Sequence, residues 1–525
     1  MIRLPKPSFA LFLLIIFLAS CAEETSIDLS KEGLIPKPRR LKISEGSFEI
    51  KASTPINMLG DQAVIQPIVD LFNSTISSST GFELTSRSKA GASNGINLYL
   101  EETDDEYPSE GYSLEIVKKN VVISSRSGAG LFNGVQTLLQ MLPPEIHASS
   151  IQDRNWLLGT GIIRDRPEYW YRGLMLDVAR HFFSVEDVKK VIDYAAMYKL
   201  NRLHLHLSDD QGWRIEIKSW PKLTSYGGQT QVGGGEGGFY TQEEYKDIID
   251  YAAKRYITII PEIDMPGHTN SALASYPVLN CNNKAPALYT GIDVGFSTLC
   301  TDKEEVYQFV DDVIRELAAM TPGEYIHIGG DESLVTEEED YKIFMNKTQE
   351  IVKKHGKKSI GWDEIATTTM HEGSVVQFWN SVENAKKGVI QDAKIIMSPA
   401  KKTYLDMQYD STTRLGLHWA AYIEADSAYS WHPENYIPGI KQENIIGVEA
   451  PLWSETIETM DDIEYMLFPR LTAIAEIAWT YKDHRDWESY SKRVARHSAV
   501  WDVKGINYYK SPKIDWDAGE EEVED

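Results

Sequence analysis

The stretch YIHIGGDES, residues 325–333, sets two carboxylates, Asp331 and Glu332, side by side after an apolar run and a glycine pair. Adjacent charges where a buried strand ends are costly unless they are paired or put to use. Three uses fit the residue types: an acid/base pair, ligands for a metal, or caps for the following helix. A hard cation needs several convergent oxygens, which Asp209, Asp331, Glu332 and Glu455 could supply. The aromatic content favours a different partner. Thirteen Trp and 27 Tyr suit an organic ligand whose apolar faces pack against rings, and a hydrated metal gains little from them. GGDE also opens the diguanylate cyclase fingerprint, but that signature ends in Phe on a hairpin, and here Ser333 follows.

The elements that must hold this pair repeat along the chain. Apolar runs recur as GLMLDVAR, RLHLHLSDD, TIIPEIDMPGH, YIHIGGDE, KSIGWDEI, VVQFW, KIIMSPA and IIGVEAPLWSE. Between them lie amphipathic segments such as SVEDVKKVIDYAAMYKL and KEEVYQFVDDVIRELAAM. Strands alternating with helices imply parallel βα units. Eight of them over residues 168–505 predict an α/β fold with a (β/α)8 TIM barrel, a doubly wound open sheet being the alternative. In a barrel the active site lies at the C-terminal ends of the strands. Nearly every run ends there in polar or aromatic residues: Asp177 and Arg180, Asp209, Asp264 and His268, Asp331 and Glu332, Trp362 and Asp363, Trp379, Trp453 and Glu455. These side chains are expected to converge on one mouth, with Asp177, Asp264 and Asp363 in structural roles.

Residues 29–165 read as a smaller α/β unit, with strand-like GINLYL and GYSLEIVKKNVVISS and a helix that stops at two prolines. Residues 506–525 read as an acidic tail. The formal charge of −25 argues against a nucleic-acid partner. Residues 1–20 combine basic residues with an apolar stretch too short for a transmembrane helix, and read as a signal peptide. LASC resembles a bacterial lipobox, implying cleavage before Cys21, lipid attachment to its thiol and export to a membrane surface, periplasmic or cell-surface. The other two cysteines, Cys281 and Cys300, are then expected to pair. Closing a loop of that length stabilises by roughly 3 kcal/mol on the chain-entropy model. The glycine-rich segment 226–239 reads as a flexible surface loop, with shaping of the mouth as the alternative.

Several long motifs occur in one order: YRGLMLDVARHF, LHLHLSDDQGWRIEIKSWPKLT, IIPEIDMPGHTNSAL, HIGGDES, GWDEI, TYLDMQY and APLWSET. Together they resemble glycoside hydrolase family 20, the β-N-acetylhexosaminidases, over residues from about 35 to 505. That resemblance implies substrate-assisted chemistry, for which this family is an exception to the two-carboxylate rule. Glu332 would be the acid/base, Asp331 would hold the N–H of the sugar's acetamide, and Tyr404 would donate to its oxygen. Trp362, Trp379 and Trp453 would wall the pocket, Arg180 and Glu455 grip hydroxyls, and Asp406 reach the C4 or C6 hydroxyl. Trp419 matches a position where an aglycone sugar stacks, and Asp209 and His268 match partners that hold the catalytic pair. No metal or organic cofactor is implied. The expected partner is a glycan with a terminal, non-reducing N-acetylhexosamine. Rival readings are a lacto-N-biosidase-like, disaccharide-releasing enzyme and a glycan-binding lipoprotein without turnover.

Overall fold

The computed structural model describes residues 33–88, 94–101 and 109–519. The signal peptide, Cys21 and the end of the acidic tail lie outside the described residues. The first unit is a seven-stranded mixed sheet in the order β1-β7-β5-β6-β4-β2-β3. Its strands are β1 (Arg40–Ile50), β2 (Ile56–Leu59), β3 (Ser86–Ser88), β4 (Gly95–Leu100), β5 (Tyr112–Val117), β6 (Asn120–Ser125) and β7 (Trp156–Asp165). Helices Gln62–Thr80 and Gly128–Gln140 pack on this sheet. The second lies very close: a Cβ on Gly130 would fall 2.0 Å from Ser125 Oγ, and one on Gly134 2.5 Å from Ile123. The glycines of GAGLFNG therefore set the distance between helix and sheet. This unit is fastened to the next by the Arg172–Glu110 ion pair and by Trp479 Nε1 donating to Asp165 Oδ2 at 2.9 Å.

The eight apolar runs form eight parallel strands that close into a barrel, as the pattern predicts. They are β8 (Tyr171–Asp177), β9 (Arg202–His206), β10 (Thr258–Glu262), β11 (Tyr325–His327), β12 (Lys358–Trp362), β13 (Val375–Phe378), β14 (Lys394–Met397) and β15 (Ile445–Leu452). The last strand pairs with the first, Gly447 opposite Tyr171 through Leu452 opposite Leu176, and seals the seam. Capping boxes start two outer helices: Ser184 with Asp187 before Val185–Met197, and Thr241 with Glu244 before Gln242–Ala253.

Successive side chains of a strand alternate between faces, so every second residue points into the barrel. The inward layer nearest the strand starts is apolar and includes Tyr171, Ile260, Tyr325, Ile360, Val375 and Ile396. The next layer is polar, with His204, Glu262, His327, Gln377 and Glu449 all fully buried. Between β14 and β15 the usual outer helix is replaced by short turns, Ala400–Thr403, Ala425–Tyr429 and Pro433–Tyr436. That irregular segment carries Tyr404, Asp406 and Trp419 across the barrel mouth. Cys281 and Cys300 form a disulfide, Cα atoms 4.9 Å apart, closing the loop after β10.

Candidate active site

The glycine pair after β11 turns the two carboxylates into the barrel mouth. Gly329 and Gly330 have φ of +61° and +104°, backbone that favours glycine. A Cβ on Gly329 would sit 1.7 Å from Asp264 Oδ1. Asp264 Oδ1 accepts the Gly330 N–H at 3.0 Å, and Tyr341 donates its hydroxyl to Gly330 O at 2.7 Å. Glu332 itself is held at φ +40°, an uncommon conformation for a residue with a side chain. The next helix, Glu338–Lys354, is capped at Glu337, so neither carboxylate serves as its cap. Asp331 is 8% exposed, and its Oδ1 has no hydrogen-bond partner among the described residues. Burial, and then the charge of Asp331, push the Glu332 carboxyl above its ordinary value, the direction a proton donor needs.

A cavity of about 180 Å³ opens in front of this pair. Arg180, Trp379, Tyr404, Trp419, Trp453 and Glu455 line it, as expected. Trp419 stands at the rim, 56% exposed, edge-on to Trp379 and to Tyr404 at ring-centroid distances of 6.0 and 5.9 Å. Trp362, expected to wall the pocket, is not among its lining residues. It is 1% exposed and lies behind Trp453, ring centroids 5.6 Å apart, with its Nε1 donating to Glu262 Oε1 at 2.9 Å. Its place on an inward position of β12 accounts for this backing role. Asp406 also sits just behind the lining, buried, with Oδ1 unpartnered among the described residues, and burial together with Glu455 pushes its carboxyl well up. Ile292 and Val294 from the disulfide-closed loop, and Leu417, complete the wall. Sequence reasoning missed these three because apolar loop residues carry no chemical signal.

Behind the carboxylates runs a chain of buried charges. Arg180 Nη2 meets Asp209 Oδ2 at 2.7 Å, and the Arg180 guanidinium lies 4.8 Å from the Trp453 ring centroid. Asp209 Oδ1 faces His268 Nδ1 at 3.2 Å. His268 Nε2 then points between Glu332 Oε2 at 3.7 Å and Asp331 Oδ2 at 3.8 Å. Burial opposes the charge on Asp209, but Arg180 and His268 outweigh it and hold the carboxyl far below the usual range. Burial likewise opposes a proton on His268, yet Asp209 and Asp331 raise it well above an ordinary histidine. The surroundings thus favour an ionised Asp209, a charged His268 and a proton on Glu332.

Three aspartates expected to be structural hold backbone here. Asp177 accepts the N–H groups of Ala179, Arg180 and Ser454. Asp363 accepts those of Trp379, Asn380 and Ser381, fixing the Trp379 loop. Asp264 supports the glycine pair. Glu364 was not foreseen: it accepts from Trp379 Nε1 at 3.1 Å, and burial followed by Asp363 and Asp331 raises its carboxyl strongly.

The polar layer under the pocket was also missed, although RLHLHL puts His204 and His206 two apart on one inward face. Glu262 Oε2 meets His206 Nδ1 and, at 3.1 Å, His204 Nε2; His204 Nδ1 meets Glu449 Oε1 at 2.9 Å. His206 Nε2 continues to Asp209 Oδ2 at 3.0 Å. Four trios of His, Asp and Glu in this region keep their candidate ligand atoms within 4.8 Å of one another, His204–Glu262–His327 and His268–Asp331–Glu332 among them. In the first, His204 Nε2 and His327 Nδ1 lie 3.1 and 2.9 Å from the Glu262 carboxylate oxygens, at ion-pair distance. Burial alone would lower His204, but Glu449 and Glu262 raise it to about 9. A folded-state value above the unfolded one gives stability that is full below pH 6.5 and fades as pH rises through about 9. The stability gap between the parent and His204→Gln should therefore shrink over that window, by up to ~1.4 kcal/mol per pH unit. Urea unfolding at several pH values measures it, and a gap constant with pH would remove the charge from His204.

The comparisons with known proteins bear on this geometry. The family model described as "Glycosyl hydrolase family 20, catalytic domain" matches residues 169–342 and 333–482, and "Glycosyl hydrolase family 20, domain 2" matches residues 31–165. These matches identify a glycoside hydrolase. The chain belongs to family 20, the family of the β-N-acetylhexosaminidases. A β-N-acetylhexosaminidase of Cellulomonas fimi is 41% identical over 491 residues, covering 92% of this chain and 97% of its own. The solved β-N-acetylhexosaminidase of Streptomyces coelicolor A3(2) superposes with a TM-score of 0.89 at 46% identity, covering 93% of this chain and 99% of its own. A mutant Streptomyces plicatus β-hexosaminidase with the product GlcNAc bound is equally similar, with a TM-score of 0.89, 46% identity and coverage of 93% and 98%.

Proposed function

We propose that this β-N-acetylhexosaminidase removes single terminal β-linked GlcNAc or GalNAc residues from the non-reducing ends of glycans, with retention, through the substrate's own acetamide. The carrying observation is that Asp331 and Glu332 leave one strand end side by side, with Tyr404 lining the same small cavity. A protein nucleophile would be expected to face the acid across the sugar, about 5–5.5 Å from it. In the proposed reaction Glu332 protonates the leaving oxygen while the acetamide oxygen attacks the anomeric carbon to give an oxazolinium ion. Asp331 accepts the acetamide N–H and stabilises its growing positive charge, and Glu332 then takes a proton from the water that opens the ring. The cavity is smaller than the ~300–1,000 Å³ of ordinary ligand pockets, which supports release of one sugar at a time.

The test compares aryl β-GlcNAc with aryl β-glucoside, which lacks only the acetamide. Turnover of the first alone is expected. Turnover of both would call for a protein nucleophile and remove Asp331 from its role. Turnover of neither, with cleavage of a lacto-N-biose aryl glycoside, would favour disaccharide release instead.

Tyr404 is buried, and burial, then Asp331, raise its phenol well above the ordinary value, so it stays a hydrogen-bond donor. Tyr404→Phe should slow turnover by about 10²-fold, the scale of losing one preorganised donor that holds a reacting group. An unchanged rate would show that another group holds the carbonyl.

We further propose that the precursor is cleaved before Cys21 and anchored by lipid on its thiol. The motif LASC after a short apolar stretch supports this, and mass spectrometry of the mature N-terminus tests it. An unlipidated N-terminus beyond Cys21 would overturn it.

A further inference from the structure

Two fully buried arginines outside the pocket, Arg214 and Arg470, make no ion pair within 4 Å among the described residues and bond instead to backbone carbonyls. Arg470 opens helix Arg470–Trp479, next to β15. Its Nη2 donates to Leu405 O at 2.6 Å and its Nη1 to Met407 O at 2.7 Å, and its guanidinium stacks 3.7 Å from the Tyr409 ring centroid. Leu405 and Met407 flank Asp406 and follow Tyr404 directly. Nη1 also holds Ile423 O at 3.0 Å, the far end of the segment that carries Leu417 and Trp419. One guanidinium therefore ties the chain just after Tyr404 to the chain just after Trp419 within the irregular segment between β14 and β15.

Arg214 does the same at the ends of β8 and β9. All five of its N–H donors find carbonyls: Val178 and Ala179, immediately before Arg180, and Gly228, Thr230 and Gly238 of the glycine-rich segment. The glycines make room for it, since a Cβ on Gly212 would lie 2.1 Å from the guanidinium carbon and one on Gly237 2.8 Å from Nη1. The segment 226–239 is thus a bracket around an arginine. Burial lowers Arg214 only to about 10, so it stays charged at neutral pH. A planar fork with five donors can join several chain segments in fixed directions, which a lysine ammonium cannot match.

We infer that Arg214 and Arg470 are positioning residues: Arg470 sets the place of Tyr404 and Asp406, and Arg214 sets that of Arg180. The inference rests on the roles proposed above for those three side chains. Loss of placement at Tyr404 should appear in kcat, because the acetamide oxygen must be held in line with the anomeric carbon for the ring to close. Loss at Arg180 should appear mainly in KM, because hydroxyls are gripped in both bound states.

The experiment is steady-state kinetics on aryl β-GlcNAc for Arg470→Lys, Tyr404→Phe and their double variant, with thermal unfolding recorded for each. Arg470→Lys is expected to lower kcat, by up to about 10²-fold for a displacement near 1 Å. The double variant should lose less than the product of the two single losses, because both changes act on the Tyr404 interaction. Multiplied losses, or a parental kcat in Arg470→Lys beside a slow Tyr404→Phe, would overturn the inference. A parental rate in Tyr404→Phe would instead overturn the role of Tyr404 itself. Arg214→Lys should raise KM more than it lowers kcat. It keeps the inference testable if Arg470→Lys does not fold, and a loss confined to kcat would overturn it.

Discussion

Glu332→Gln should lower turnover of substrates with poor leaving groups by ~10²–10⁴-fold, the range in which a positioned general acid operates. The substitution keeps size and polarity but cannot deliver a proton to the glycosidic oxygen. The loss should depend on the leaving group, because a nitrophenolate departs without help while a sugar hydroxyl does not. The φ of +40° at this residue and the adjoining glycine pair keep the amide where the carboxyl stood, so binding should change little. A Brønsted plot of kcat/KM against leaving-group pKa would be steep for the variant and shallow for the parent. Parallel plots would take Glu332 out of the acid role.

Asp331→Asn should cost ~10²–10³-fold, the scale of losing one preorganised charge at the reacting centre, and should also move the pH profile. The sign follows from the surroundings of Glu332. Burial and then the Asp331 charge raise that carboxyl, while His268 and Arg180 lower it. Removing the Asp331 charge leaves the lowering groups in place, so Glu332 gives up its proton at lower pH. The basic limb of kcat/KM, which reports the free enzyme's acid, should shift toward acid. A limb that stays put, or moves to higher pH, would show that Asp331 does not set the proton affinity of Glu332.

The barrel was legible because its strands are short apolar runs separated by helices at regular spacing. The convergence of Asp331 and Glu332 on the mouth was legible because polar residues at strand ends have one place to go. Trp362 shows where that logic stops. Its motif assigned it to the wall, but its inward position on β12 puts it beneath Trp453 and bonds it to Glu262. Residues joined by packing inside the barrel, such as Glu262 with His204 and His206, lie on different strands, and no local pattern pairs them. Arg214 and Arg470 were hidden for a related reason. Their partners are carbonyls, which every residue possesses, so the sequence holds no complementary charge to find. Ile292 and Val294 were invisible because the path of the disulfide-closed loop, and not its composition, brings them to the pocket.

The seam between β15 and β8 carries a consequence for how activity emerges during synthesis. Arg180 leaves the ribosome early, yet Trp453 and Glu455, which line the same cavity, follow directly on the last strand to be made. A nascent chain that ends before residue 445 has an open-edged sheet and a cavity lacking one side. Catalysis is thus a late signal, given only once the most distant pairing in the barrel has formed. Recovery of hydrolysis after dilution from denaturant should lag behind recovery of helical circular dichroism, and the lag would time the closure of the ring.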